Sequence, residues 1–140
     1  MSEMDSRGRL GFALVILAQV AHSVEECRFR LFDVFAPARW VSSLFAALVG
    51  DDVALGFGVA NVCLVLFGLW CYWARVRPSR PGARGYAWFW ACLELGNGTS
   101  HIFFSLLRRD YFPGVGTAPL LIATSSYLAF TLLAHREPRP

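Results

Sequence analysis

Apolar residues run almost unbroken from Leu10 to Ala21 and from Val53 to Ala74, then, with polar interruptions, from Tyr86 to Leu107, and again from Val115 to Ala134. A helix of about 20 such residues, rising about 1.5 Å each, matches a hydrocarbon layer of roughly 30 Å. The pattern therefore predicts four transmembrane helices, over about 10–27, 53–74, 86–107 and 115–134. Between the first two, "CRFRLFDVFAPARWVSSLFAALVGDD" breaks the pattern, because Asp33, Pro37 and Arg39 spoil a crossing while Phe32, Phe35, Trp40, Leu44 and Phe45 supply an apolar face. One interfacial or re-entrant amphipathic helix is expected over 30–49. "RVRPSRPGARG" (Arg75 to Gly85) reads as a short turn, and the tail "HREPRP" as a frayed end. The expected fold class is all-α: a polytopic membrane protein, a four-transmembrane-helix bundle plus the interfacial or re-entrant helix, in a single domain over 1–140.

Composition supports a bilayer as solvent. The chain is 56% hydrophobic, 15% aromatic and only 16% charged, outside the balance of soluble domains. All 13 of its cationic residues are arginine, and they lie between apolar runs instead of forming one basic face, so no nucleic-acid partner is expected. Eight of the 13 (Arg7, Arg9, Arg75, Arg77, Arg80, Arg84, Arg136 and Arg139) fall on the side shared by the two termini and the loop between the second and third spans. Arg28, Arg30, Arg39, Arg108 and Arg109 fall on the other side. The bias predicts that both termini are cytoplasmic. Arg7 and Arg9 ahead of an apolar run resemble a signal peptide, but no A-x-A-like site follows, and the first helix is read as retained. Cys27, Cys63, Cys71 and Cys92 show no CxxC spacing, and three lie within apolar runs, where cysteine behaves as a small hydrophobe.

The candidate chemistry comes from polar residues inside the spans. The first apolar run leads into "HSVEE", which puts His22 about 18 Å, and Glu25 and Glu26 about 22 to 24 Å, along the helix from Leu10. In the third span "ELGNGTSH" spaces Glu94, Asn97 and His101 by three and four, on one helix face, about 12, 16 and 22 Å from Tyr86. The two spans run the same way, so these residues form a layer in the outer half of the bilayer. Gln19 extends the first stripe inward, and Asn61 and "TSSY" (Thr124 to Tyr127) enter at similar depth; Gln19, Asn61, Tyr111 and Tyr127 are the expected supporting residues. An ionisable side chain at a helix centre costs on the order of 2.5 to 3.5 kcal/mol to insert. Three carboxylates and two imidazoles are therefore expected to meet in one buried site, and such intramembrane groups are functional candidates by default.

"HSVEE", with His22, Glu25 and Glu26 on the named positions, resembles the signature of the HXXEE family of small bacterial integral membrane proteins. His101 would correspond to a further histidine associated with that family, and "NGTSH" and "YFPGVGT" (Tyr111 to Thr117) are similar to its later stretch. The resemblance implies a multi-pass protein of the bacterial inner membrane with an enzyme-like site, and names no reaction.

Three mechanisms fit the residues. The first is metal-free acid/base work by His22, Glu25, Glu26, Glu94, Asn97 and His101 on a lipophilic, isoprenoid- or lipid-like molecule. It would amount to isomerisation, hydration or cyclisation without a cofactor, with Phe12, Trp88, Trp90 or Phe104 sheltering a developing cation. Small polytopic sterol isomerases and membrane terpene cyclases offer a fold-level analogy. The second is a divalent metal (Zn, Fe or Mn) held by His22, Glu25, Glu26, Glu94 and His101, in a metal-dependent hydrolase or oxidoreductase, although the spacing is neither Glu-x-x-His nor HExxH. The third is a non-catalytic helix seam or a proton or ion pathway. Some features have simpler readings. His135 is a solvated tail residue, Asn97-Gly98-Thr99 is a glycosylation sequon at an unsuitable depth, and Gly96 and Gly98 permit close helix packing. Tyr111-Phe112-Pro113-Gly114 is an interfacial turn with Tyr111 as an aromatic anchor whose side chain could also fold over the site mouth, and Trp70, Tyr72 and Trp73 form an aromatic belt. The lipid bilayer and a lipophilic small molecule are the expected partners; no oligomeric state is specified.

Overall fold

The computed structural model describes residues 4–134, which leaves His135 outside the described residues. Helix α1 (Ser6–Arg28) opens on Asp5, whose carboxylate accepts the Gly8 N–H at 2.8 Å and satisfies one of the orphan donors of a helix start. It ends where Arg30 turns left-handed, at φ 55°. Two short helices follow, α2 (Leu31–Val34) and α3 (Ala36–Ala46). The break between them falls at Phe35, because Pro37 cannot donate to a continuing helix but suits the first turn of a new one. The segment 30–49 thus holds two helices where one is expected. Arg39 ties them together by donating to the Phe32 carbonyl at 3.0 Å.

Asp52 caps α4 (Val53–Cys71) by accepting the Leu55 N–H at 3.0 Å, and the helix runs on through a π-helical turn at Tyr72–Val76. After a turn containing Pro78 and Pro81, α5 (Ala83–Arg108) begins behind Gly82, and α6 (Ala118–Ala134) closes the bundle. Every regular element among the described residues is helical. Two helical runs, Ser6–Arg28 and Val53–Val76, are long and apolar enough to cross a membrane, while Ala118–Ala134 is apolar but shorter. The outward faces carry large apolar side chains: Val62, Leu66, Trp73 and Phe130 are all more than half exposed, a surface suited to lipid contact.

Helix α1 packs along α6 and also touches α4 and α5; α5 packs along α6, and α3 along α4. By contrast α4 and α5 meet only briefly, which leaves a cleft between them. Two apolar cores form. One joins Phe12, Ile16, Cys71, Trp90, Leu128 and Leu132, and the other Leu31, Phe32, Ala38, Phe57 and Phe112. Between them along α1 lie the buried polar residues Gln19, His22, Ser23 and Glu26. At the end holding the first core, Arg9 donates to the Arg77 carbonyl at 3.2 Å and Arg84 to the Leu132 carbonyl. Arg75 and Arg77 lie over the Trp70 and Trp73 rings. Tyr72 departs from the expected belt: it turns inward and stacks on Phe12.

Gly98 sets the approach of α5 to α6, since a Cβ there would lie 2.9 Å from the Ala118 carbonyl oxygen and 3.0 Å from the Ile122 side chain, whereas Gly96 faces open space. Gly98→Val should destabilise the bundle by about 1–3 kcal/mol through overpacking, and Gly96→Ala should leave it unchanged or slightly firmer. Thermal unfolding of both variants in detergent checks this; equal melting temperatures would contradict the close α5–α6 contact.

Candidate functional site

The polar layer is built mainly from α1, α5 and the loop that joins α5 to α6. His22 and Glu26, one helical turn apart, face α5; His22 is fully buried and Glu26 nearly so. His101 on α5 meets them: its Nε2 lies 3.2 Å from Glu26 Oε1, and His22 Nε2 lies 3.3 Å from the same oxygen. The two imidazoles stand perpendicular, with centroids 4.6 Å apart. A single carboxylate oxygen is therefore shared by two ring nitrogens.

The outer nitrogens fix the tautomers. His101 Nδ1 lies 2.6 Å from the Pro113 carbonyl oxygen, which can only accept, so Nδ1 carries the hydrogen. His22 Nδ1 lies 2.8 Å from Thr117 Oγ1. That hydroxyl has one hydrogen and donates it to Glu25 Oε2 at 2.6 Å, so it must accept from His22 Nδ1. In the neutral form of both rings, the Nε2 lone pairs consequently point inward at Glu26. His22 Nε2 is a buried atom with no aligned hydrogen-bond partner, a costly state for a polar group.

Glu25 does not join this cluster. Adjacent residues on a helix diverge by about 100°, and the turn from Glu26 to Glu25 carries the Glu25 side chain toward the α5–α6 loop. There it accepts from Tyr111 OH (2.5 Å), Gly116 N–H (2.9 Å), Thr117 N–H (2.7 Å) and Thr117 Oγ1 (2.6 Å). Four donors suit an ionised carboxylate, which is acceptor-only. Burial, and then the hydrogen bond and charge of Glu25, push the Tyr111 phenol up to about 12, so it remains a donor across the neutral range. The loop in turn closes over the imidazoles at Gly114. Its φ is 99°, and a Cβ there would lie 2.5 Å from His101 Nδ1 and 2.7 Å from His22 Cε1. Only glycine fits such a backbone at that contact.

Deeper in the layer, Glu94 is fully buried. The Gln19 amide nitrogen donates to it at 2.7 and 3.1 Å while the amide oxygen accepts from Ser23 Oγ at 2.9 Å; the reverse orientation would set the amide oxygen against carboxylate oxygens. Asn97 Nδ2 donates to Glu94 at 3.3 Å. These donors are neutral amides, and Glu94 forms no salt bridge among the described residues.

Three of the supporting residues lie apart from the His22/Glu26/His101 cluster. Tyr111 bonds Glu25 at the rim. Asn61 bonds its own helix at the Phe57 carbonyl (3.2 Å) and lines the cleft. Tyr127 packs beside Gly11, about 16 Å along α1 from His22, because α6 descends antiparallel to α1 and carries Tyr127 away from the layer. Phe12 and Trp90 lie in the first apolar core, and Phe104 packs against the second. Thr117, Gly114 and the Pro113 carbonyl lie in the Tyr111–Thr117 stretch that resembles the family's, but no site role is expected of them from the residues alone. The available signal was a G-x-G-T run directly ahead of an apolar helix.

The cluster sits on the wall of a cleft of about 750 Å³. Among the described residues, His22, Glu26 and His101 are three buried side chains whose ligand atoms lie within 4.8 Å of one another, as a metal site requires. The family described as "Protein of unknown function with HXXEE motif" matches residues 13–129. The chain belongs to the HXXEE family. Searches of curated proteins and of solved structures each found no match. In this HXXEE protein the three motif positions divide into two tasks: His22 and Glu26 face the α5 histidine, while Glu25 anchors the loop that orients His22.

Replacing Thr117 by Val leaves the buried His22 Nδ1–H without its acceptor and removes a donor from Glu25, at a cost of about 1–3 kcal/mol. Replacing Tyr111 by Phe removes one exposed donor, at about 0.5–1.5 kcal/mol. Melting temperatures in detergent should therefore fall further for Thr117→Val than for Tyr111→Phe. The opposite order would contradict the hydrogen-bond chain from Glu25 through Thr117 to His22.

Proposed function

We propose that this HXXEE protein is a membrane-embedded metal-dependent enzyme acting on a lipophilic substrate, with a divalent cation held by His22 Nε2, His101 Nε2 and the Glu26 carboxylate. The observation that carries the reading is the commitment of both Nδ1 atoms, to Thr117 and to Pro113, which aims two Nε2 lone pairs at one carboxylate oxygen. Ligating histidines are oriented in just this way by an acceptor on the far nitrogen. The distances agree as well. Metal bonds of about 2.0–2.1 Å in a tetrahedral arrangement put neighbouring ligand atoms about 3.3 Å apart; the two nitrogen–oxygen distances here are 3.2 and 3.3 Å, and all three ligand atoms lie within 4.8 Å of one another. Two histidines and one carboxylate leave a coordination position open, the pattern of catalytic rather than structural sites, and suit zinc or non-haem iron.

A cation there supplies Lewis-acid polarisation of a substrate oxygen. The chain's own residues do the rest. Thr117 and Pro113 hold the imidazoles, Gly114 closes the outer side against water, and Glu94, steadied by Gln19 and Asn97, is the spare carboxylate able to take or give a proton in the cleft. The metal-free acid/base reading keeps one observation in its favour, since Glu94 is buried with amide donors alone. The proposed setting is a four-span bundle of α1, α4, α5 and α6 in the inner membrane. Both termini would be cytoplasmic on the arginine bias, and the site would lie in the outer half.

Elemental analysis of detergent-purified protein tests the proposal. The unmodified chain should carry about one divalent ion, His101→Ala and Glu26→Gln about a tenth of that or less, and Glu94→Gln about the full complement. Turnover without stoichiometric metal, unaffected by chelation, would refute it in favour of metal-free acid/base chemistry.

A further inference from the structure

The cleft beside the cluster carries information about what enters it. It opens sideways where α4 and α5 barely touch, and its rim on α5 is formed by Leu93 and Gly96, both exposed on the bundle's outer face. Its walls are apolar over most of their area, with Phe45 and Phe57 among them. Its polar groups are Gln19, Glu26, Asn61, Glu94, Asn97, Ser100 and His101, and no arginine among the described residues lines it. A volume of about 750 Å³ falls among small-molecule sites, which run to roughly 300–1,000 Å³.

The charge balance then narrows the ligand. A phosphate or diphosphate head needs cationic or multiple N–H partners once it leaves water; among the described residues no arginine lines this cleft, and the first turn of α3, which borders it at Phe35, Pro37 and Ala38, lacks the N–H of Pro37. The proposed dication would face two carboxylates, Glu26 and Glu94, which when ionised balance it. A head bearing charge of either sign would leave a net charge buried, at a cost of several kcal/mol. Resting on the metal reading of the same site, we infer that the ligand is a neutral oxygenated lipophile (an alcohol, ketone, aldehyde or ester on an apolar tail) that enters from the bilayer between α4 and α5. Its oxygen reaches the open coordination position beside Glu94 and Asn97, and its tail lies against Phe45 and Phe57. Phosphorylated lipids and prenyl diphosphates fall outside this class.

The test uses the full chain, loaded with Co(II), in phosphatidylcholine nanodiscs. A diazirine-bearing long-chain alcohol is photolysed, and the labelled peptides are mapped by mass spectrometry. Labelling should centre on the peptides containing Phe45, Phe57 and Leu93. Dodecan-1-ol should compete with it at least about tenfold more effectively than dodecyl phosphate, a gap of about 1.4 kcal/mol. Leu93→Trp, which fills the side opening from an exposed position, should lose the labelling while keeping its cobalt. Equal or stronger competition by dodecyl phosphate, or undiminished labelling in Leu93→Trp, would overturn the inference. Cobalt stoichiometry in the same samples reports separately on the metal reading. Selective labelling with no bound cobalt would sink that reading and leave the ligand class standing, whereas bound cobalt without selective labelling would sink the ligand class alone.

Discussion

Buried polar groups in an apolar bundle must find partners within the protein, because neither the surrounding side chains nor a bilayer offers any. In this chain that demand is left unmet at one point: Oε1 of Glu26 faces Nε2 of both His22 and His101, and neutral rings that carry their hydrogen on Nδ1 bring only lone pairs to it. The remaining polar layer is arranged around the same atom. The outer ring nitrogens are held by Thr117 and Pro113, the loop bearing these acceptors is held by Glu25, and Gly114 lets its backbone close against both rings. Three acceptor atoms thus converge with no hydrogen between them, an arrangement that the proposed cation would satisfy. Around that point the outer part of the layer is one hydrogen-bonded chain, from Glu25 through Thr117 to His22.

The fold serves this unit by ordinary means. Parallel α1 and α5 bring Gln19 level with Glu94 and Glu26 level with His101, so the two stripes match in register. Apolar cores on either side, one around Trp90 and the other around Phe32 and Phe112, keep the layer dry. Close contact of α5 with α6 and its slight contact with α4 leave one flank open, so the site is sealed toward the loop and reachable from the side. A site sealed toward the loop and open along an apolar flank is what chemistry on a lipophilic molecule needs, and this asymmetry motivates the proposed enzyme role.

Much of this was legible in the residues themselves. Four long apolar runs mark the four long helices because a helix of that length has a fixed rise per residue, and the same rise gave the depth match between the His22–Glu26 and Glu94–His101 stripes. Two things could not be read that way. His22 is three residues from Glu25 and four from Glu26, so spacing alone permits both to join it, and only the rotation of α1 against its neighbours separates them. Thr117, Gly114 and the Pro113 carbonyl belong to a loop whose path depends on tertiary contacts, and a backbone carbonyl has no signature in a sequence. Tyr127 illustrates the converse: it sits on an apolar run at a plausible depth, but α6 presents it to Gly11. The break at Phe35, by contrast, follows from Pro37 and was available in principle.

The central claim is that His22, His101 and Glu26 form a metal cage. X-ray absorption at the K-edge of the metal in purified protein tests it most directly. The account predicts a sulfur-free first shell of nitrogen and oxygen at about 2.0–2.1 Å, with outer-shell scattering from two imidazoles. A shell containing sulfur at about 2.3 Å, or one with no imidazole scattering, would contradict it.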